Sequence, residues 1–170
     1  MSLFDMRQFH AELDEQRRRR GLSWTELAAE VNRPFETTPS IPISPGTLRD
    51  MLKKRSVTSA AVLQVLRWMG RTPESFLSGA ARSTSPDEQL PEAGQDRVAR
   101  LDTRAIYDAL EHQRRSKGLT WQQVADQMPG LSASMLRNLA NGLLIGFPRV
   151  MTITQWLGRP ASTFVRSRSR

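Results

Sequence analysis

The side chain most able to do chemistry in this sequence is arginine. Of the 25 basic residues 22 are arginine, and the formal net charge is +8. A guanidinium group is a rigid fork of donors that matches phosphate and carboxylate geometry. Such a balance points to a polyanionic partner, of which nucleic acid is the commonest, or else to a soluble protein from an arginine-biased genome. Catalytic chemistry has little to work with. There is no cysteine, and the two histidines, His10 and His112, hold unrelated positions in the repeat described below. No metal-ligand spacing, phosphate-cradling glycine loop or nucleophile motif is present. The expectation is a non-enzyme that needs neither cofactor nor metal.

Hydroxyl residues stand where helices must start. Ser23-Trp-Thr-Glu26 and Thr120-Trp-Gln-Gln123 both read as capping boxes: the hydroxyl accepts from a first-turn amide, and Glu or Gln reaches back to the cap amide. Ser44-Pro45 is a serine cap with proline in the first helical position, and Ser132 is a matching cap.

These starts belong to an internal repeat. Asp5, Leu13, Gly21, Leu22 and Trp24 recur 97 positions later as Asp102, Leu110, Gly118, Leu119 and Trp121. From Ser44 onward the offset is 88: Ser44, Leu48, Arg49, Trp68, Gly70, Arg71 and Phe76 recur as Ser132, Leu136, Arg137, Trp156, Gly158, Arg159 and Phe164. The difference is one insertion, twelve residues at 32–43 against three at 129–131. The spacing predicts a first copy at 1–77, a linker at 78–101 rich in small, proline and charged residues, a second copy at 102–165, and a disordered basic tail at 166–170. The bulk numbers fit two small domains better than one large core.

Apolar spacing predicts five helical elements per copy. In the first copy these carry Met6, Phe9 and Leu13; Leu27, Ala28 and Val31; Leu48, Met51 and Leu52; Val62, Val65, Leu66 and Met69; and Phe76 with Leu77. Gly21 and Gly118 read as left-handed C-caps. No stretch keeps a two-residue alternation, so the expectation is an all-α fold. No apolar run approaches a membrane span and the start lacks a signal-peptide core, so a cytoplasmic chain is expected.

The stretches LSWTELAAEV with SPGTLRDMLKK, and LTWQQVADQM with SASMLRNLANG, resemble the lambda-repressor-like (Xre/Cro-type) helix-turn-helix family. The resemblance covers most of both repeats. It implies two tandem five-helix domains in a sequence-specific, double-stranded-DNA-binding regulator of bacterial or mobile-element type, such as a repressor. It places base-edge contacts on the first turns of the third helix, and a phosphate at the start of the second. For the second copy the implied DNA residues are Ser132, Ser134, Arg137, Asn138 and Asn141, with Arg137 suited to guanine and Asn138 to adenine. For the first copy they are Ser44, Thr47, Arg49, Lys53, Lys54 and Arg55, the last three as phosphate anchors. Pro45, Gly46 and Asp50 offer less. Ser23, Trp24, Thr120 and Trp121 stand at the phosphate position, where burial of the indoles is an equal reading. The glutamate that pairs a helix-1 arginine in the family is Leu52 or Ala140 here, which leaves Arg17 and Arg114 for solvent, phosphate or a partner. Two half-sites about one DNA turn apart, roughly 34 Å, lie within reach of a flexible linker.

Two stretches depart from a plain DNA binder. The insertion NRPFETTPSIPI is stiff and carries Phe35, Ile41 and Ile43; local packing is favoured over a partner surface or DNA. LLIGF, with Leu143, Leu144, Ile145 and Phe147, replaces the polar RSVTS of the first copy and suggests burial against the other repeat, a second copy of the chain or another protein. The alternative function is therefore an adaptor or anti-activator that turns one or both units toward a partner protein.

Overall fold

The computed structural model describes residues 2–33, 42–53, 57–78, 86–91 and 97–169. The chain is mostly helical: among the described residues there are eight α-helices and one two-stranded sheet. In order they are α1 (Met6–Arg19), α2 (Trp24–Asn32), α3 (Pro45–Arg49), α4 (Ser59–Met69), β1 (Arg97–Leu101), α5 (Thr103–Ser116), α6 (Trp121–Asp126), α7 (Ala133–Asn138), α8 (Phe147–Leu157) and β2 (Val165–Ser169). Single 3-10 turns follow α3 (Met51–Lys53), α4 (Pro73–Phe76), α7 (Leu139–Asn141) and α8 (Ala161–Phe164).

The local signals act where the sequence places them. Asp5 and Asp102 cap α1 and α5, each accepting an amide from three residues on. Both capping boxes are complete, so α2 and α6 start at their tryptophans. Ser44 and Ser132 cap α3 and α7 by accepting from Thr47 and Met135. Gly70 and Gly158 close α4 and α8 in the left-handed region, φ +68° and +67°. A Cβ is strained in that region, which is why glycine is favoured where each helix ends.

Two clusters of buried side chains hold the chain together. One gathers Phe9, Leu13, Leu27, Leu48, Met51, Val62, Leu66 and Phe76 from the first half. The other gathers Ile106, Leu110, Val124, Leu136, Leu139, Val150, Ile153 and Phe164 from the second. The first cluster does not stop at the repeat boundary. Ala99, Phe147, Met151, Ala161 and Val165 belong to it, and Phe147 meets Phe4 edge-on at 5.1 Å. Buried polar contacts cross the same boundary. Gln64 Nε2 donates to the Ala99 carbonyl at 2.9 Å, and Glu74 Oε1 accepts from the Ala161 amide at 2.7 Å. Gln155 exchanges two hydrogen bonds with the Ser2 backbone. The halves are packed on one another across this boundary.

The mostly helical fold agrees with the all-α expectation, and the one small sheet is an addition to it. Arg97–Leu101, read as the end of the linker, pairs antiparallel with Val165–Ser169, read largely as a disordered tail; Leu101 faces Val165 and Arg100 faces Arg166. The first half has a one-bridge version of the same closure, Phe4 against Leu77. In both halves the residue capping the first helix donates its amide to the phenylalanine before the pairing: Asp5 to Phe76 at 2.8 Å, Asp102 to Phe164 at 2.7 Å. The linker also contributes Leu90 to the first cluster.

The 32–43 insertion falls mostly on residues outside those described, but its ends are clamped. Asn32 accepts from the Ile43 amide and donates to the Ile43 carbonyl, both at 2.8 Å. Ile43 packs on the first cluster, the local role expected of it. Leu52, expected to be buried, is 47% exposed. The α-helix ends at Arg49, and the tighter 3-10 turn rotates Leu52 outward while Met51 stays in the core.

Candidate nucleic-acid interface

The two short helices α3 and α7 carry the residues expected to meet DNA. In α7 the apolar side points inward through Leu136, and Leu139 follows it from the 3-10 turn. Ser132, Ser134, Arg137, Asn138 and Asn141 all lie exposed on the other side. Asn138 Nδ2 donates to Ser134 Oγ at 3.3 Å, one helical turn back. Arg137 has no hydrogen bond or ion pair among the described residues, so its fork of donors faces solvent.

In α3 the equivalent arginine is occupied. Arg49 Nε donates to Asp50 Oδ1 at 3.2 Å and its Nη2 to Asp50 Oδ2 at 2.9 Å. That hydrogen-bonded pairing, with the adjacent negative charge, raises the Arg49 pKa above its ordinary value. Lys53 stands 3.9 Å from the same carboxylate. Ser44 and Thr47 are joined hydroxyl to hydroxyl at 2.9 Å. Lys54 and Arg55 lie outside the described residues.

The second-helix starts differ in charge but not in geometry. Ser23 Oγ accepts from the Glu26 amide at 3.1 Å while Glu26 Oε1 accepts from the Ser23 amide at 3.0 Å. Thr120 and Gln123 repeat both bonds at 3.2 and 2.8 Å. The Ser23 backbone amide, then its hydroxyl, hold the Glu26 carboxyl below its ordinary pKa, so α2 opens on a fixed negative charge. The start of α6 is neutral at that point. A helix N-terminus favours an anion through its free amides, and a carboxylate already seated there competes with a phosphate.

Trp24 and Trp121 are half-buried and built into matching stacks. Trp24 lies parallel to His10 at 5.8 Å with the Arg17 guanidinium 4.5 Å above the ring centre. Trp121 lies parallel to Tyr107 at 5.6 Å with Arg114 at 5.0 Å. Those arginines are not available to phosphate or a partner, which corrects the sequence expectation. Arg17 is held by Asp14 at 2.8 Å and donates to the Leu22 carbonyl at 2.8 Å. Arg114 does the same with Glu111, at 2.9 Å, and the Leu119 carbonyl, at 2.8 Å. The carbonyl lies just past the helix end, a position no residue-type pattern reveals.

The remaining tryptophans brace helix 2 against helix 4 in both halves. Trp68 Nε1 donates to Glu30 Oε2 and Trp156 Nε1 to Gln127 Oε1, both at 2.8 Å. Arg20 and Lys117 cover the respective rings at 4.4 and 4.9 Å. Arg18 and Arg19 of the densest charge run pair with Asp14 and Glu15 on the same helix, as a solvated face does.

No family model, curated protein or solved structure matches this chain. Among the described residues no group of three or more His, Asp or Glu could hold a metal ion, and no helix is long and apolar enough to cross a membrane.

The LLIGF loop divides. Ile145 and Phe147 are buried, at 7% and 0% exposure, the latter in the first half's cluster. Phe147 is covered by the other repeat, one of the three expected coverings, and Ile145 packs in the second half's own cluster. Leu143 and Leu144 stay exposed, Leu144 at 78%.

Proposed function

We propose that this chain is a sequence-specific double-stranded-DNA-binding transcriptional regulator built from two tandem helix-turn-helix units, and that α7 is its principal base-reading helix. The observation that carries the reading is the exposed face of the serine-capped α7 and the turn after it: Arg137 without an intramolecular hydrogen bond or ion pair among the described residues, Asn138 and Ser134 bonded only to each other, and Asn141 from the 3-10 turn, with the opposite side anchored in the core. Arginine can fork onto guanine and asparagine onto adenine in the major groove, which admits one α-helix. Thr120 and Trp121 at the neutral start of α6 are the phosphate ligands of this reading, together with the arginine excess of the chain.

Gel shift and footprinting on the region upstream of the protein's own gene, across a salt series, test this. The expected result is a protected site and a log–log salt slope of about −0.9 per phosphate contacted. Weak binding that is indifferent to sequence contradicts it. That outcome favours a second reading, an adaptor that binds a partner protein, whose support is the Arg49–Asp50 pair and the exposed Leu52, Leu143 and Leu144.

A further inference from the structure

At three aligned positions of the repeat the first half has an acid and the second the matching amide. Glu26 corresponds to Gln123, Glu30 to Gln127 and Asp50 to Asn138. At the first two, the hydrogen bonds are the same in both halves: the capping box at Glu26 and Gln123, and the acceptor of the tryptophan N–H at Glu30 and Gln127. The amide therefore meets the structural requirement, and the negative charge is extra. Acids that the second half gains over alanine, Asp108 for Ala11 and Asp126 for Ala29, lie on α5 and at the last residue of α6, away from the capped start of α6.

Two of the three acids stand where DNA would lie. Glu26 sits at the opening of α2, the phosphate position of the proposed function, and Asp50 adjoins the base-reading arginine. Asp50 satisfies the Arg49 guanidinium with two hydrogen bonds and draws Lys53 to 3.9 Å. A guanidinium so occupied has to give up a carboxylate before it can fork onto a base, and that carboxylate then faces phosphates at a distance salt does not screen. Arg137 has neither obstacle, because its neighbour is Asn138.

We propose that Glu26 and Asp50 are specificity-determining residues that silence DNA reading by the first half, and that the amides Gln123 and Asn138 leave the second half as the one reading head. The inference rests on the DNA-binding function proposed above and adds which half reads and what withholds the other.

The test is selection from a random duplex library by wild type, by the E26Q/D50N double variant and by N138D, each checked for unchanged circular dichroism and melting. Glu26→Gln copies the second capping box and the Asp50 and Asn138 positions are partly or fully exposed, so all three proteins should fold. Wild type is expected to enrich one block of half-site length. E26Q/D50N should enrich two blocks and steepen the salt slope by about 1 to 2. N138D, which places a carboxylate beside Arg137, should lose the enriched block and weaken binding to it roughly ten- to a hundredfold. Two equal blocks from wild type, an unchanged motif from E26Q/D50N, or an unchanged motif from N138D overturns the inference while leaving DNA reading intact. Sequence-indifferent binding by all three overturns DNA reading, and the inference with it.

Discussion

The two halves keep the same scaffold and spend their surface charge differently. Three ties recur: Arg17 and Arg114 tie the end of the first helix to the second, Trp68 and Trp156 brace the second against the fourth, and Arg71 and Arg159 cover Phe76 and Phe164 at 4.9 and 5.0 Å. What varies lies on the outer faces and at the junction. Asp50 replaces Asn138 on the face proposed for DNA, and Phe147 stands where the first half has Ser59. The difference teaches that a duplicated frame can be held by caps and clamps while single side chains decide what each copy meets.

The junction gives the largest expected effect. Phe147 is fully buried in the cluster shared by both halves, so Phe147→Ala should cost about 3–5 kcal/mol of stability. Leu144→Ser, four-fifths exposed in the same loop, should stay within about 0.5 kcal/mol. Denaturant titration separates them. Equal, small effects would mean that the halves do not share a core.

The tryptophan braces sharpen the comparison next. Trp68 donates to a carboxylate and Trp156 to a neutral amide, and bonds to charged groups are worth about twice neutral ones. Trp68→Phe should therefore cost more than Trp156→Phe, with the latter at about 1 kcal/mol. The reverse order in thermal melts would contradict the assignment. Below these come the caps: Ser23→Ala and Thr120→Ala should each cost about 1 kcal/mol, and by similar amounts, because both boxes are complete.

The smallest effect is a pH dependence in the second half. The hydrogen bond from Arg114, helped by Arg115, holds the Glu111 carboxyl below its ordinary pKa. A depressed folded-state pKa adds stability above the unfolded value, about 4.3, that is lost as pH falls through the folded one. Glu111→Gln should lower stability slightly at neutral pH and narrow the gap to wild type in acid, since the pair is near the surface. A gap that widens in acid has the wrong sign.

Much of this frame is legible in the sequence because it is local. Caps such as Ser23 and Ser132, glycines such as Gly70, and the three- and four-residue spacing of Phe9 and Leu13 each act within a turn of helix. The junction is not local. Ser59, Gln64 and Met151 lie on helices α4 and α8, which are apolar on nearly every side, so periodicity shows burial but not which half covers which face. The sheet is hidden for a related reason: RVARL and VRSRS have the composition of a linker and a tail, and only the closure of the second half pairs them. On the candidate interface, residue type marked Arg49 and Arg137 alike. The sequence shows Asp50 beside Arg49 where Asn138 stands beside Arg137; geometry adds that the Asp50 carboxylate folds onto the guanidinium, which a neighbouring aspartate need not do.

The central claim is that one arginine reads DNA and its repeat partner does not. Fluorescence-anisotropy titration of a selected duplex with Arg137→Ala and Arg49→Ala, at one fixed salt concentration, tests it most directly. Loss of a bidentate base contact predicts roughly a ten- to hundredfold weaker Kd for Arg137→Ala, and a change below about twofold for Arg49→Ala, which loses an exposed contact to its own neighbour. Equal losses from the two substitutions, or none from Arg137→Ala, would contradict the account.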